Sequence, residues 1–390
     1  MPMLPHELSD NLCSLKEGVI RLTVSVFVTL NPDGTILNTK ICRSAIKSAK
    51  RFTYKQAKRV LDGTLKSKHK NTLLEMVTVC GILKKKRAER GSVELYLPEF
   101  IVRIDEKGSP IGTELIQYDI THQMVEEFML LANETVAKHL SSEGKSITYR
   151  VHEEPAKESL REFAVLAEAF GHKLSIDPTP QEIQKFFAAV SDSPFAQYLA
   201  TCYIKSMRLA CYSSDNIGHY GLGLEYYCHF TSPIRRYVDT IVHRLLFSNA
   251  IDKKIISEIC HDASERERTS ARAESSVAVL KKLRLLGMLT KTDSTRQFEA
   301  VVTRVKPFGI YFDVLELMLE GFLHVSELDN DYFVFDEKRL QLVGRHHNIV
   351  YHAGDSLTVM VNEIDLITQE VTWELVVHPM HSMRKNKKRR

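Results

Sequence analysis

Two arginines stand side by side in the run His229-Phe230-Thr231-Ser232-Pro233-Ile234-Arg235-Arg236-Tyr237, which continues to Asp239, His243 and Arg244. Ser232 suits an N-cap, and Pro233 suits the first position of a helix, where its missing N–H is no loss. Ile234, Val238, Ile241, Val242 and Leu245 then recur at the spacing of one buried helical face. On that reading Arg235 and Arg236 fall in the first turn, where the helix dipole disfavours a cation by about 0.3–1 kcal/mol each. Two fork-shaped cations beside free backbone N–H groups make a phosphate receptor. The competing reading is a surface helix with an Arg235–Asp239 pair one turn apart.

The elements that must position these residues belong to a chain of 390 residues, 44% hydrophobic and 26% charged, long enough for two or three domains with sizeable cores. A net charge of +4 excludes a uniformly basic coat, so any surface for a polyanion is local. Basic residues do cluster. Lys40 to Lys70 carries eleven Lys or Arg against Asp62 alone, Lys84-Lys85-Lys86-Arg87 follows, and Arg384 to Arg390 closes the chain. Such runs are commonly solvated faces and a basic tail is often disordered, yet three in a nearly balanced chain favour a polyanionic partner. Seven dispersed cysteines with no C-x-x-C pair fit reduced thiols, not a zinc ribbon or a redox dithiol. With no run of 18 apolar residues and no signal-like start, a soluble cytoplasmic protein with no membrane partner is expected.

Arg21 to Thr29 alternates as a strand, Asn31-Pro32-Asp33-Gly34 makes a turn, and Ile36 to Arg43 returns, a hairpin with no obvious partner sheet before it. Residues 54–80 read as helix and linker, and Glu94 to Ile104 as a strand. The period is helical over His122–Leu140, Lys157–Phe170, Gln181–Ser191 and Phe195–Ala210. Ser213 to Tyr227 is a loop leading into the arginine run, and helices resume through Leu289. The fold class is therefore α+β, with one mainly helical domain over 1–288. Beyond the polar linker Lys291–Thr295 the period switches to 2. Phe298–Val305, Ile310–Val314, Gly321–His324, Leu357–Val361 and Glu370–Val376 predict a five-stranded barrel of the OB type at 296–378, with a basic tail at 379–390.

The string Y-x-H-F-T-S-P-I-R-R-Y-x-D-x-x-x-H-R over Tyr227–Arg244 resembles the signature of the RNase II and RNase R family of 3′-to-5′ exoribonucleases. Pro2-Met3-Leu4-Pro5, Glu126 to Asn133, Asn216 to Leu222 and Ala273-Glu274 resemble other segments of that family in the same order. The resemblance covers essentially the whole chain and is closest to RNase R. It implies hydrolysis of single-stranded RNA, one nucleoside 5′-monophosphate at a time, with Mg2+ activating the attacking water. Arg235 matches the arginine that clamps the scissile phosphate. Arg236 would bind a neighbouring phosphate or pair with Asp239. Glu126 and Glu274 match positions that contact the sugar or the 3′ end. His229 and His243 read as hydrogen-bonded structural histidines.

The barrel resembles an RNA-binding OB module named after a ribosomal protein. Phe308, Tyr311 and His324 take the places of its aromatic platform, on which bases stack for roughly 1–3 kcal/mol each. Glu299 stands where the module usually has glycine, so a locally altered first strand is expected. The basic tail resembles the lysine-rich ends of RNase R proteins and implies salt-sensitive RNA affinity.

The family's aspartate-rich metal motif, roughly I-D-x6-D-x-D-D, precedes the Pro2–Pro5 segment and has no counterpart here. Asp329-Asn330-Asp331, Asp336-Glu337 and Asp105-Glu106 lack its spacing. The expectation is the C-terminal half of an exoribonuclease, catalytically incomplete alone, with single-stranded RNA as partner and the ribosome or a separate N-terminal half as further ones. The alternative is a non-catalytic RNA-binding remnant.

Overall fold

The period-2 alternation after residue 296 folds as barrel strands. β7 (Gln297–Lys306) buries Phe298, Ala300 and Val302, and β8 (Gly309–Val314) buries Ile310, Phe312 and Val314. With β9 (Leu319–His324), β13 (Ser356–Asp365) and β14 (Glu370–Val377) they form one antiparallel sheet in the order β14-β13-β7-β8-β9, and β14 lies beside β9, so the sheet is nearly closed. Trp373, Leu323 and Val359 complete a core that the C-terminal part of α8 (Lys253–Thr292) joins through Leu283 and Leu286. Glu299 is exposed in regular ladder pairing with Thr358, so the first strand is unaltered there. The irregularity falls instead at Thr303, a bulge between Val302 and Arg304. Between β9 and β13 the chain inserts a small sheet that the alternation pattern does not predict, β10 (Phe333–Asp336), β11 (Gln341–Gly344) and β12 (Val350–His352).

This computed structural model describes residues 3–377 apart from 96–98, 117, 194, 249, 329–330, 338 and 348. The basic tail, Pro2, Asp329 and Asn330 lie outside the described residues. Two compact units are present: Met1–Glu94 with Gln117–Ala156 and Met207–Thr269, and Leu95–Ile116 with Lys157–Ser206 and Ser270–Arg390.

In the first unit, β1 (Ile20–Leu30) and β2 (Ile36–Lys47) form the predicted hairpin, a sheet of two strands. α1 (Tyr54–Leu61) starts at a Thr53–Gln56 capping box, and α2 (Lys70–Glu89) runs past the predicted end of its helix. α3 (Ile120–Ser142) starts at Asp119, whose carboxylate accepts from the Thr121 N–H. Short strands β5 (Tyr149–Val151) and β6 (Cys211–Ser213) pair, and α7 (Tyr237–Phe247) packs Val238, Ile241, Val242 and Leu245 into a core with Val136, Leu140, Ile147 and Val151. The second unit holds the hairpin β3 (Glu99–Ile104) and β4 (Pro110–Ile116), then α4 (Lys157–Ala169), α5 (Pro180–Val190), α6 (Ala196–Ser206) and the barrel.

The basic run Lys84–Arg87 is not all surface. Arg87 is 5% exposed. Its Nε donates to Glu127 Oε1 at 2.9 Å, its Nη2 to Glu94 Oε1 at 2.6 Å and its Nη1 to Ser92 Oγ at 3.1 Å. α2 and α3 are thus joined through a buried ion pair.

Candidate functional site

α7 begins at Tyr237, four residues later than Ser232 and Pro233 suggest. The cause is Asp239, fully buried in the first turn of α7. Its Oδ1 accepts from the Ser232 N–H at 2.7 Å and from Arg236 Nη2 at 2.9 Å, while Arg236 Nε faces Oδ2 at 2.9 Å. The carboxylate pulls the preceding segment back into a separate turn, in which the N–H groups of Arg235 and Arg236 both donate to the Ser232 carbonyl. Ile234 therefore leaves the helix face and is 38% exposed. The Arg235–Asp239 pair does not form, because Arg236 takes that carboxylate. Arg235 is exposed, and no hydrogen bond or ion pair holds its guanidinium among the described residues.

The turn is anchored from a distant element. Asn133 on α3, 3% exposed, accepts from the Phe230 N–H at 3.0 Å through Oδ1 and donates to the Tyr227 hydroxyl at 3.2 Å through Nδ2. His243 stacks on Phe230 with ring centroids 4.5 Å apart, and its Nε2 lies 2.9 Å from the Phe230 carbonyl oxygen. His229 Nδ1 lies 2.9 Å from the Tyr212 hydroxyl. Burial, helped by the nearby Arg236 and Arg150, holds His229 down to about 2, and burial with the neighbouring His152 holds His219 down to about 3. Tyr212 is pushed up to about 12 by burial, and Arg150 lies 4.8 Å from its ring centre. His229, whose protonation Arg235 also opposes, supplies no charge to offset the guanidinium, which is left for an external anion.

Of the adjacent acids on α3, Glu127 is buried against Arg87, whereas Glu126 is half-buried and accepts from the Tyr118 hydroxyl. Tyr118, His122 and Glu126 recur every fourth residue, and His122 stacks on Tyr54 at 3.9 Å. The sequence reading missed this aromatic neighbourhood, although the spacing of four was legible. Glu274 is exposed on α8, in the second unit.

On the barrel, Phe308 is 48% exposed. Its ring lies 6.4 Å from Tyr311 and 5.9 Å from Phe322, and Tyr311 lies 4.9 Å from Phe322. Phe322 was missed; its position two residues before His324 on one strand was the available signal. Arg304 stands 4.3 Å from the Tyr311 ring centre and is held bidentate by Glu320 at 3.1 and 3.0 Å. His324 is exposed, and its Nδ1 accepts from the Ser326 N–H at 3.3 Å, which fixes the ring. Gly309, at φ +157°, is required here: a Cβ would sit 2.2 Å from the Leu323 carbonyl oxygen and 2.9 Å from the Phe322 ring. Gly309→Ala is expected to part β8 from β9 and cost the barrel more than about 1 kcal/mol. Unfolding followed by Trp373 fluorescence checks this, and an unchanged midpoint would count against it.

Among the described residues, no group of three or more His, Cys, Asp or Glu side chains is placed to hold a metal ion. Asp331 is occupied by the backbone N–H groups of His346 and His347, and Asp105 by those of Lys107 and Ser109. No helix among them is long and apolar enough to cross a membrane.

Comparison with known proteins places two domain families along the chain. The RNB domain model matches residues 1–250, and the S1 RNA binding domain model matches residues 295–371. Ribonuclease R of Chlamydia muridarum is 36% identical over 96% of this chain and 54% of its own length, and that of Thermotoga maritima is 35% identical over 96% and 55%. The chain spans about half the length of the curated relatives it matches. The solved structure of Mycoplasma genitalium RNase R in complex with ribose methylated single-stranded RNA is similar at a TM-score of 0.86 and 28% identity, over 96% of this chain and 61% of that one. A pinned arginine turn, an aromatic barrel face and a family model that covers more than half the residues lead to one conclusion: the chain belongs to the RNB-domain family of exoribonucleases, the RNase II/RNase R family, and carries an S1 RNA-binding domain.

Proposed function

We propose that this chain supplies the RNA-holding part of an RNase R-like 3′-to-5′ exoribonuclease of the cytoplasm. Single-stranded RNA stacks on Phe308, Tyr311 and Phe322, with His324 at the platform's edge. Arg235 clamps the scissile phosphate and offsets the charge that develops there. Arg236, paired with Asp239, positions Arg235. Glu126 and Glu274 contact the sugar or the 3′ end. The observation that carries the reading is Arg235 itself, an unpaired cation on a turn that a buried carboxylate and Asn133 fix from two sides. Nucleases of the RNB family are metal-dependent, but the described carboxylates do not converge as a hydrated Mg2+ requires, so no step is assigned to metal here. The 390 residues alone then bind RNA without releasing nucleotides.

The test uses oligoadenylate and Mg2+ with the purified chain. Retention of the oligomer without release of nucleoside monophosphate is expected, and robust release would overturn the claim of incompleteness. Arg235→Ala is expected to weaken retention about tenfold or more, consistent with a charge-assisted phosphate contact of 1.5–3 kcal/mol. Equal affinity across salt concentrations would remove Arg235 from this role. If a separately made polypeptide with an aspartate-rich RNB segment restores release, these residues are competent as the RNA-holding part of the nuclease; continued absence of release favours the non-catalytic RNA-binding reading.

A further inference from the structure

The second unit encloses a cavity of about 180 Å3 between α6 and the outer face of the barrel, next to the platform. The strands lead from one to the other. Asp313 follows Tyr311 by two residues on β8, and Glu320 precedes Phe322 by two on β9, so all four share a face, with Asp313 paired to Glu320 across the ladder. Asp313 is half-buried and accepts no hydrogen bond or ion pair among the described residues. Burial pushes its carboxyl above the usual range. The Thr303 hydroxyl, on the bulge of β7, is buried without a partner. The opposite wall is the ring of Tyr198, packed 5.7 Å from Phe170 and hydrogen-bonded to Cys202. The Cys202 thiol is pushed up by burial, which keeps it out of nucleophilic chemistry. Lys205 is exposed at the lining.

The volume is that of about six waters, enough for one ring system and too small for a phosphate as well. An aromatic wall, a carboxylate with both oxygens unused and a cation at the margin describe a receptor for a base whose phosphodiester stays outside. We propose that the cavity takes one nucleobase of an RNA leaving the platform, and that Asp313 selects guanine. Guanine presents N1–H and N2–H side by side on its Watson–Crick edge, which matches two carboxylate oxygens; adenine and cytosine present there one amino group beside a ring-nitrogen acceptor, and uracil one N–H between two carbonyl acceptors. The proposal deepens the RNA-binding reading and rests on it for the source of the base.

Isothermal titration of the full 390-residue chain with GMP, AMP, CMP and UMP tests it. GMP is expected to bind about tenfold or more tighter than the other three, since a site that has spent its polar groups on one partner rejects those lacking it. Asp313→Asn should remove that preference with unchanged Trp373 emission, and Thr303→Val, isosteric on the same floor, should weaken GMP several-fold. The preference for GMP over the other three should survive Phe308→Ala, which removes only stacking indifferent to the base. Four equal affinities, no GMP binding, or GMP binding unaffected by Asp313→Asn would each overturn the proposal. Loss of the GMP preference with Phe308→Ala alone would place the nucleotide on the platform and overturn it too. Oligoadenylate retention contains no guanine, so failure of the RNA-binding reading shows there separately.

Discussion

Arg87→Ala is expected to destabilise the first unit by about 3–5 kcal/mol, the range for removing one partner of a buried ion pair. The loss arises less from the missing cation than from what it leaves behind. Glu127 is 4% exposed, and burial already pushes its carboxyl up even with Arg87 alongside. Without the guanidinium it must take up a proton or draw in water, and α3 shifts against α2. The same network reaches the loop before the arginine turn, because Ser92 accepts from Arg87 and donates to the Gly221 carbonyl at 3.1 Å. Urea unfolding followed by far-UV circular dichroism measures the effect, and a midpoint close to that of the unchanged chain would refute it. An Arg87→Met, Glu127→Met double variant separates causes. If the uncompensated charge is responsible, the double variant is far more stable than Arg87→Ala, since well-packed apolar replacements of buried pairs are often neutral.

Mild acid is expected to open the first unit before the barrel. An unfolded histidine titrates near 6.5, whereas His219 and His229 are held to about 3 and about 2 in the fold, and His152 is also lowered by burial. Below pH 6.5 the unfolded chain therefore binds protons that the fold refuses, so stability is fully present above 6.5 and falls as the pH drops. At pH 5 the pair would remove about 4 kcal/mol, enough to matter for a domain of ordinary stability. Arg150, Arg235 and Arg236 all oppose a proton on His229 and add to the effect of burial. The barrel behaves in the opposite sense at His352, whose pKa is raised by Asp355. The sole tryptophan, Trp373, is 3% exposed in that barrel and reports on it alone. Helical circular dichroism should fall between pH 6.5 and 5 while Trp373 emission holds. Coincident loss of both signals, or none above pH 4, would contradict the assignment.

Period-2 alternation placed the barrel strands within a few residues, because a closed sheet with one buried face leaves no other register for Phe298, Ala300 and Val302. The arginine run was harder. Ser232 and Pro233 carry real helix-start chemistry, but Asp239 lies seven residues beyond Ser232 and its capture of that N–H is a tertiary event with no local signature. Arg87 was hidden for the same reason: in a run of four cations nothing local says which one turns inward to meet Glu127, forty residues away. The aromatic triangle was two-thirds legible: Phe322 joins Phe308 and Tyr311 only through cross-strand pairing with Tyr311, which the alternation of its own strand does not specify. The two units interleave three segments each, a pattern that composition shifts along the chain do not mark. Roles for Glu126 and Glu274 came from resemblance and not from spacing.

Asn133 grips Tyr227 and Phe230 across 94 and 97 residues of intervening chain. A contact of that span closes a long loop, and the entropy of closure must be met before the contact stabilises anything. Helix α3 can form early on its own capping box, but the arginine turn acquires its geometry only when α3 is already docked. A fragment that starts after residue 133 would contain every residue of the Tyr227–Arg244 signature and still present Arg235 on a wandering loop. Competence at this site is therefore a late step of folding, set by an amide nearly a hundred residues upstream.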